Sequence, residues 1–484
     1  MRIKFLIISV VLAVSSNLFA MHDELISQLI ASKITVDKHA RMVNLSIQEN
    51  RPLSGAELAE INVAAQKRLN LRDQAYEYFS QNLYLVHKRI QKDFTLTDDE
   101  LTELMLSLSV ALTLYDTTLY TYYQFHDNPK MRRLLNEKDS AYRREGNTFE
   151  KSIKNVFSFK NSIYVQRAIK IYNLFYIQRK ILFDDVALAR AHQIIQASFI
   201  YQNFQTRKTK GVLHDFFLII GSRIKIDVKA KADFFNFLAN SVLYHGSRLF
   251  GNIVGSIQKR RGMLYRDPKF LSRVTGHLKT LDILLEKTPF RLTDSFIPGF
   301  WGHAAIYLGT KEELEELGIW DNKLVQQYSK EISKGKFIIE ALRDKVQLNT
   351  LDHFSDIDDF ALIRMRTPLS KEEQAEHILR ALSHVGKKYD FSFDVETGDT
   401  IVCSELHYRT FIDIEFQTTI YLGRSTISVD QVAEQGKTNM PFEPVMMYLN
   451  GIEVINEELQ NVFDGVLVPI EDDLKSLDTF NDVA

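Results

Sequence analysis

Cysteine is nearly absent from this chain: one residue, Cys403, in 484. A disulfide framework is therefore excluded, and one thiol is left with no intramolecular partner. Charge of one sign is also lacking. Sixty Lys and Arg stand against 62 Asp and Glu, a formal net charge of -2, so no global field draws the chain to nucleic acid or to an anionic membrane. The first half shows no internal repeat, low-complexity tract or metal-ligand cluster. Neither a metal nor a cofactor is expected.

What is present is enough apolar material for substantial cores. With 45% hydrophobic and 11% aromatic residues, the length predicts two or three globular domains. The first twenty residues, MRIKFLIISVVLAVSSNLFA, place Arg2 and Lys4 before an apolar run from Phe5 to Val14 and end on a small residue. That is the pattern of an export signal, with removal expected near Ala20 and a periplasmic or secreted product; the alternative is an uncleaved anchor, because Leu18 is larger than the residue usual two places before the cut. The run is short for a bilayer span. Export sharpens the question of the lone thiol, because oxidising compartments favour paired cysteines. Cys403 is either reactive or a small buried hydrophobe.

From about 21 to 275 the pattern is helical. Ser54 with Glu57, and Thr97 with Glu100, have the spacing of capping boxes, in which a hydroxyl and a carboxylate satisfy open amides at a helix start. Leu58, Ile61, Ala65 and Leu69 recur at helical spacing, and Asn128-Pro129 interrupts the run that begins near Asp98. Leu104 to Phe125 carries a single charge, Asp116. Its Ser, Thr and Tyr content predicts a buried helix instead of a membrane span. Gly251 and Gly255 begin a stretch with a basic end, GNIVGSIQKRRG. It is suited to peripheral contact with lipid headgroups, or is an ordinary solvated helix end.

Beyond about 280 the texture becomes α+β. LDILLE, HAAIYLG, KFIIEAL and FALIRMR read as strands, and Ser370 with Glu373 opens a helix that Gly386 closes. Three residues here carry chemistry. His303 starts a strand, and Glu340 places a carboxylate in an apolar one, where a buried charge needs a partner. Cys403 heads the predicted helix CSELHYRTF, whose open amides and positive dipole favour a thiolate and suit an oxyanion. Nucleophile, base and orienting carboxylate are thus all available. The structural alternatives are a core histidine and a Glu340–Arg364 pair.

The segment from about Asp282 to Leu449 resembles the YiiX/YebB-like branch of the NlpC/P60 cysteine hydrolases. LDILLE followed by SFIPGFWGHAAIYLG, then IIEAL, GKKYDFSFD and VCSEL occur in that order. The resemblance implies a permuted papain-like domain, with a small antiparallel sheet and packed helices, over about 280–450. It also implies Cys403 as nucleophile, His303 as base and Glu340 as the orienting group. Tyr389 and Asp390 fall in the same motifs, on the substrate side; for Asp390 the alternative is a turn residue capping its own backbone. Leu281 stands where members often carry glycine, and Ala304 where valine is common.

The expected reaction is acyl transfer through an acyl-enzyme, without cofactor. The substrates in view are a peptidoglycan peptide, an N-acyl amide or a lipid acyl bond, with hydrolysis of an amide favoured. Phe300 and Trp301 make the loop arriving at His303 apolar: either a wall for substrate or packing between domains. The opposing class is an exported helical scaffold whose papain-like domain is inactive. Residues 451–484 are read as a C-terminal extension.

Overall fold

In the computed structural model the described residues are 2–88, 94–125, 128–178, 186–206, 260–290, 299–390, 393–421 and 424–467, with side chains described from Ala20 onward except at 159, 177–178, 186–187, 203, 205–206 and 421. The leader side chains, Gly251, Gly255, Phe296 and Ile297 lie outside them. Two compact units divide the chain: residues 1–45, 61–136 and 146–236 form one, and 46–60, 137–145 and 237–484 the other.

The first unit is helical around the helix Asp98–Phe125, which is buried along most of its length. Leu25, Ile26 and Leu29 of the helix Arg2–Gln48 join it in one apolar cluster, with Val165, Ala168 and Ile169 of Phe159–Gln178 and Ala191 and Ile195 of Val186–Ala197. Several buried polar residues of that helix are satisfied within it or by a neighbouring segment. The hydroxyls of Thr113, Thr117 and Thr121 donate to the carbonyls of Ser109, Leu114 and Thr117 at 2.8, 3.1 and 2.7 Å. Asp116 accepts from the amides of Phe199 and Ile200, both at 3.2 Å, at the start of the helix Phe199–Thr206. Burial pushes its carboxyl above the ordinary carboxylate range. Among the described residues no helix is long and apolar enough to cross a membrane. The first helix runs unbroken through Ala20, and just beyond it the buried His22 ring contacts Ser109 Oγ at 2.7 Å.

The second unit is built on a seven-stranded antiparallel sheet. In chain order the strands are β1 (Ile283–Lys287), β2 (His303–Tyr307), β3 (Ile338–Ala341), β4 (Val346–Asn349), β5 (Asp359–Met365), β6 (Lys388–Tyr389), β7 (Thr400–Ile401), β8 (Thr419–Tyr421), β9 (Arg424–Thr426), β10 (Phe442–Leu449) and β11 (Ile452–Glu453). The sheet order is β11-β10-β5-β1-β2-β3-β4, with β6 paired in parallel to β7 and β8 antiparallel to β9. Leu284, Ala305, Tyr307, Ile338, Phe360, Leu362 and Met446 share a core with Phe270 and Val274 of the helix Pro268–Thr275. All four stretches read as strands from sequence are strands of this sheet. Residues 46–60, 137–145 and the helix Pro268–Thr275, assigned to the helical half from their pattern, pack with this unit instead. Part of the C-terminal extension does as well: β11 lies beside β10, and the helix Leu459–Val466 buries Leu459 and Phe463.

The capping boxes at Ser54, Thr97 and Ser370 form as their spacing predicts; Ser370 Oγ accepts from Glu373 N at 3.2 Å while Glu373 accepts from Ser370 N at 2.8 Å. The departure at Leu281 has a backbone reading. Its φ is +70°, a conformation that glycine adopts freely and a branched residue adopts at a cost of about 1–2 kcal/mol. Leu281 is buried, and burying such a side chain contributes about 1.5–3 kcal/mol, which offsets that strain.

Candidate active site

The antiparallel register sets the site. Ala305 of β2 lies opposite Glu340 of β3, and Glu286 of β1 lies opposite His303. Directly paired residues share a face, so His303, Ala305, Glu340 and Glu286 project to the same side. His303 Nε2 is 3.2 Å from Glu340 Oε2, and the second carboxylate oxygen of Glu340 accepts from Asn349 Nδ2 at 2.8 Å. Glu340 is 2% exposed. It is partnered by His303 and Asn349, while Arg364 forms a bidentate pair with Asp282 at 2.7 Å for both contacts. The Glu340–Arg364 alternative is therefore set aside.

Cys403 opens the helix Cys403–Thr410, which packs against β2 and β3. β7 and the extended residue Val402 lead straight into it. Leu406 N makes the first helical hydrogen bond, to Val402 O at 3.0 Å, so the amides of Cys403, Ser404 and Glu405 are the helix's open donors. Glu405 closes the turn behind them, accepting from Val402 N at 3.1 Å. Its carboxyl is pushed well above the ordinary range by burial and by the charge of Asp390.

His303 lies within electrostatic reach of Cys403. Burial alone would push the imidazole down, but the negative charge of Cys403, a hydrogen bond to it, the hydrogen bond to Glu340 and the charge of Glu286 together hold it well above its ordinary value. Nε2 faces Glu340, and Nδ1 is the ring's other nitrogen. A second histidine ties the two elements. The His407 ring lies 2.9 Å through Nδ1 from Cys403 O and 3.3 Å through Nε2 from Ala305 O. Burial pushes its pKa down to about 4, which favours the neutral ring.

Tyr389, which pairs with Ile401 across β6 and β7, sits near the sulfur. Burial, then the charges of Cys403, Glu405 and Asp390, push its phenol well above its ordinary value, which keeps it a hydrogen-bond donor. Asp390 is buried and accepts from Asp394 N at 3.2 Å and Thr397 Oγ1 at 3.1 Å, so its visible work is to order the loop before Cys403. Trp301 is 0% exposed and packs near Phe463, ring centroids 6.4 Å apart. It belongs to the interior of this unit, which corrects its reading as a substrate wall or as interdomain packing. Phe300 stays partly exposed, with Lys287 Nζ 4.7 Å from its ring centroid. The loop is fixed by Asp430, whose carboxylate accepts from the amides of Phe300 and Trp301 at 2.8 and 2.7 Å.

Sequence reasoning missed Asn349, Glu286 and the bridging role of His407. Nothing local marks Asn349. The His407 signal was present in the Cys403–His407 spacing, which puts a ring one helical turn beyond the sulfur.

Residues 277–456 match the family described as permuted papain-like amidase enzymes, YaeF/YiiX, C92 family. The C-terminal domain belongs to that family, and the protein is an α+β chain in which a helical half precedes a permuted papain-like cysteine hydrolase domain. His303, Glu340, Tyr389 and Cys403 all fall within the matched segment. The family is one of amidases, and the match lends no support to lipid acyl chemistry. No curated protein and no solved structure matches the chain.

Proposed function

We propose that the C-terminal domain hydrolyses an amide bond through an acyl-enzyme on Cys403. The observation that carries this reading is the relay of Asn349, Glu340 and His303 ending at Cys403. His303 takes the thiol proton, and the sulfur attacks the carbonyl carbon. The open amides at the start of the helix Cys403–Thr410 receive the oxyanion. His303 then returns the proton to the leaving amine as the C–N bond breaks, and activates a water whose addition frees the acid and restores the thiol. Glu340 orients the imidazole and stabilises its charged form. Tyr389 is a donor on the substrate side. The basic, apolar start of the chain supports an exported product, for which a peptidoglycan-type amide is the substrate to test first.

The test is intact-mass measurement after mixing the full chain with an acylated peptide anilide. A mass increase equal to the acyl group, on Cys403 and absent in Cys403→Ser and His303→Ala, is the expected result. An unmodified Cys403 together with labelling by iodoacetamide no faster than a free thiol would favour the inactive-scaffold reading instead.

A further inference from the structure

Lys387 lies inside the family-matched segment, yet its counter-ion does not. Its Nζ is 2.7 Å from Asp139 Oδ1, and both side chains are shut off from solvent, at 0% and 1% exposure. The same Nζ donates to Gly398 O at 2.5 Å. Its own backbone is fixed to the sheet, since Val346 N donates to Lys387 O at 2.8 Å. A domain cut at the family limits would bury this ammonium without its ion-pair partner.

Asp139 is part of a short turn, 137–145, that folds with this unit although it interrupts the helical half in sequence. The turn is closed by reciprocal bonds between Asp139 and Arg144, both 2.9 Å. It grips the residues just ahead of Cys403. Lys138 Nζ and Ser140 N reach the two carboxylate oxygens of Asp399 at 3.0 and 3.2 Å. Gly398 is so close that a Cβ there would sit 2.4 Å from Lys138 O. A second insert, 46–60, holds the other side. Leu53 N donates to Glu396 at 2.8 Å, Tyr408 OH donates to Leu53 O at 2.7 Å, and a Cβ on Gly55 would sit 2.2 Å from Tyr408 O. Between them Arg409, on the Cys403 helix, donates to Val395 O and Thr397 O at 2.8 and 2.5 Å.

These contacts converge on one path: the turn Val395–Asp399, then β7, then Cys403. We propose that segments 46–60 and 137–145 are positioning elements for the nucleophile, with Asp139 acting through Lys387 and Gly398 on the backbone that carries Cys403. The family domain of this chain is completed by residues from outside its own limits. This rests on the role given to Cys403 above.

Because Cys403 is the sole cysteine, alkylation of the native full chain by iodoacetamide reports on one atom. The rate constant at pH 7 is to be measured in wild type, His303→Ala, Asp139→Asn, Asp139→Asn/Lys387→Met and Asp399→Asn, each with its thermal unfolding curve. Displacing the nucleophile slows reaction by about ten-fold or more in Asp139→Asn. In the double variant, where both members of the Lys387–Asp139 pair are removed together, Tm recovers while the slow rate remains. Asp399→Asn, which alters a partly exposed contact, is slower by about three-fold with Tm nearly unchanged, and it decides the matter if Asp139→Asn does not fold. A double variant that regains both Tm and rate, or an Asp399→Asn rate equal to wild type, overturns the positioning role while leaving the catalytic reading intact. A wild-type rate with no dependence on His303 removes the catalytic reading itself and this proposal with it.

Discussion

His303 Nε2 and Glu340 Oε2 stand 3.2 Å apart across adjacent strands, and the far oxygen of the same carboxylate is held by Asn349 at 2.8 Å. The carboxylate is therefore fixed at both ends, and one nitrogen of the imidazole is held by it. Asn349→Ala should lower the acylation rate on an anilide by about ten-fold, and Glu340→Gln by about a hundred-fold, the range found for residues that orient a catalytic ligand. The circular dichroism of both should match wild type. A Glu340→Gln enzyme at wild-type rate would remove Glu340 from the relay.

Phe300 and Trp301 should now separate. Trp301 is wholly buried, so Trp301→Ala is expected to lose about 3–5 kcal/mol of stability. The partly exposed Phe300 should lose little stability on conversion to Ala and instead raise KM with kcat retained, the signature of lost substrate binding. Equal Tm losses for the two, with kinetics unchanged, would leave neither a substrate contact.

Gly299 should not accept a side chain. Its φ is +98°, and an added Cβ would lie 2.4 Å from Asp430 Oδ2. Gly299→Ala is expected to destabilise by about 1–3 kcal/mol, seen as a Tm several degrees lower. An unchanged Tm would show that the loop rearranges freely.

His407 gives a pH dependence of known sign. Its pKa in the folded protein is pushed down to about 4 by burial, against an ordinary value of 6.5. Between those values the unfolded chain binds a proton that the folded one refuses, so this contribution to stability is lost as pH falls from 6.5 toward 4. Asp430, pushed up to about 6 by burial, acts in the opposite direction over part of that window, so the test is a difference. The gap in stability between wild type and His407→Gln should narrow by up to about 3 kcal/mol as pH falls across the window. A gap that stays constant would mean the buried ring is already charged.

Much of this was readable in advance. Strands β1, β2, β3 and β5 were legible because their apolar runs are bounded by polar turns, and three helix starts because hydroxyl and carboxylate stand three residues apart. Asp116 could be placed in a buried helix but not explained, since the amides it caps come from Phe199 and Ile200, far along the chain. The same limit hid Asn349, whose link to Glu340 depends on strand register. It also hid Asp139, whose buried partner Lys387 is brought to it only by the fold. Trp301 was misread because an apolar loop beside a histidine looks alike whether it faces substrate or Phe463. Local patterns announce elements and caps; contacts made by folding leave no local mark.

The central claim is that Cys403, His303 and Glu340 act as one unit, and the charge of His303 tests it most directly. Histidine-selective isotope labelling, with the His303 signal identified by its loss in His303→Gln, allows the imidazole to be titrated by NMR in wild type and in Cys403→Ala. In wild type the ring should remain protonated well above its ordinary pKa of 6.5. Without the sulfur, burial should prevail and the titration should move down markedly. A midpoint that is ordinary in wild type, or that does not move when Cys403 is replaced, would contradict the pairing on which the proposed chemistry depends.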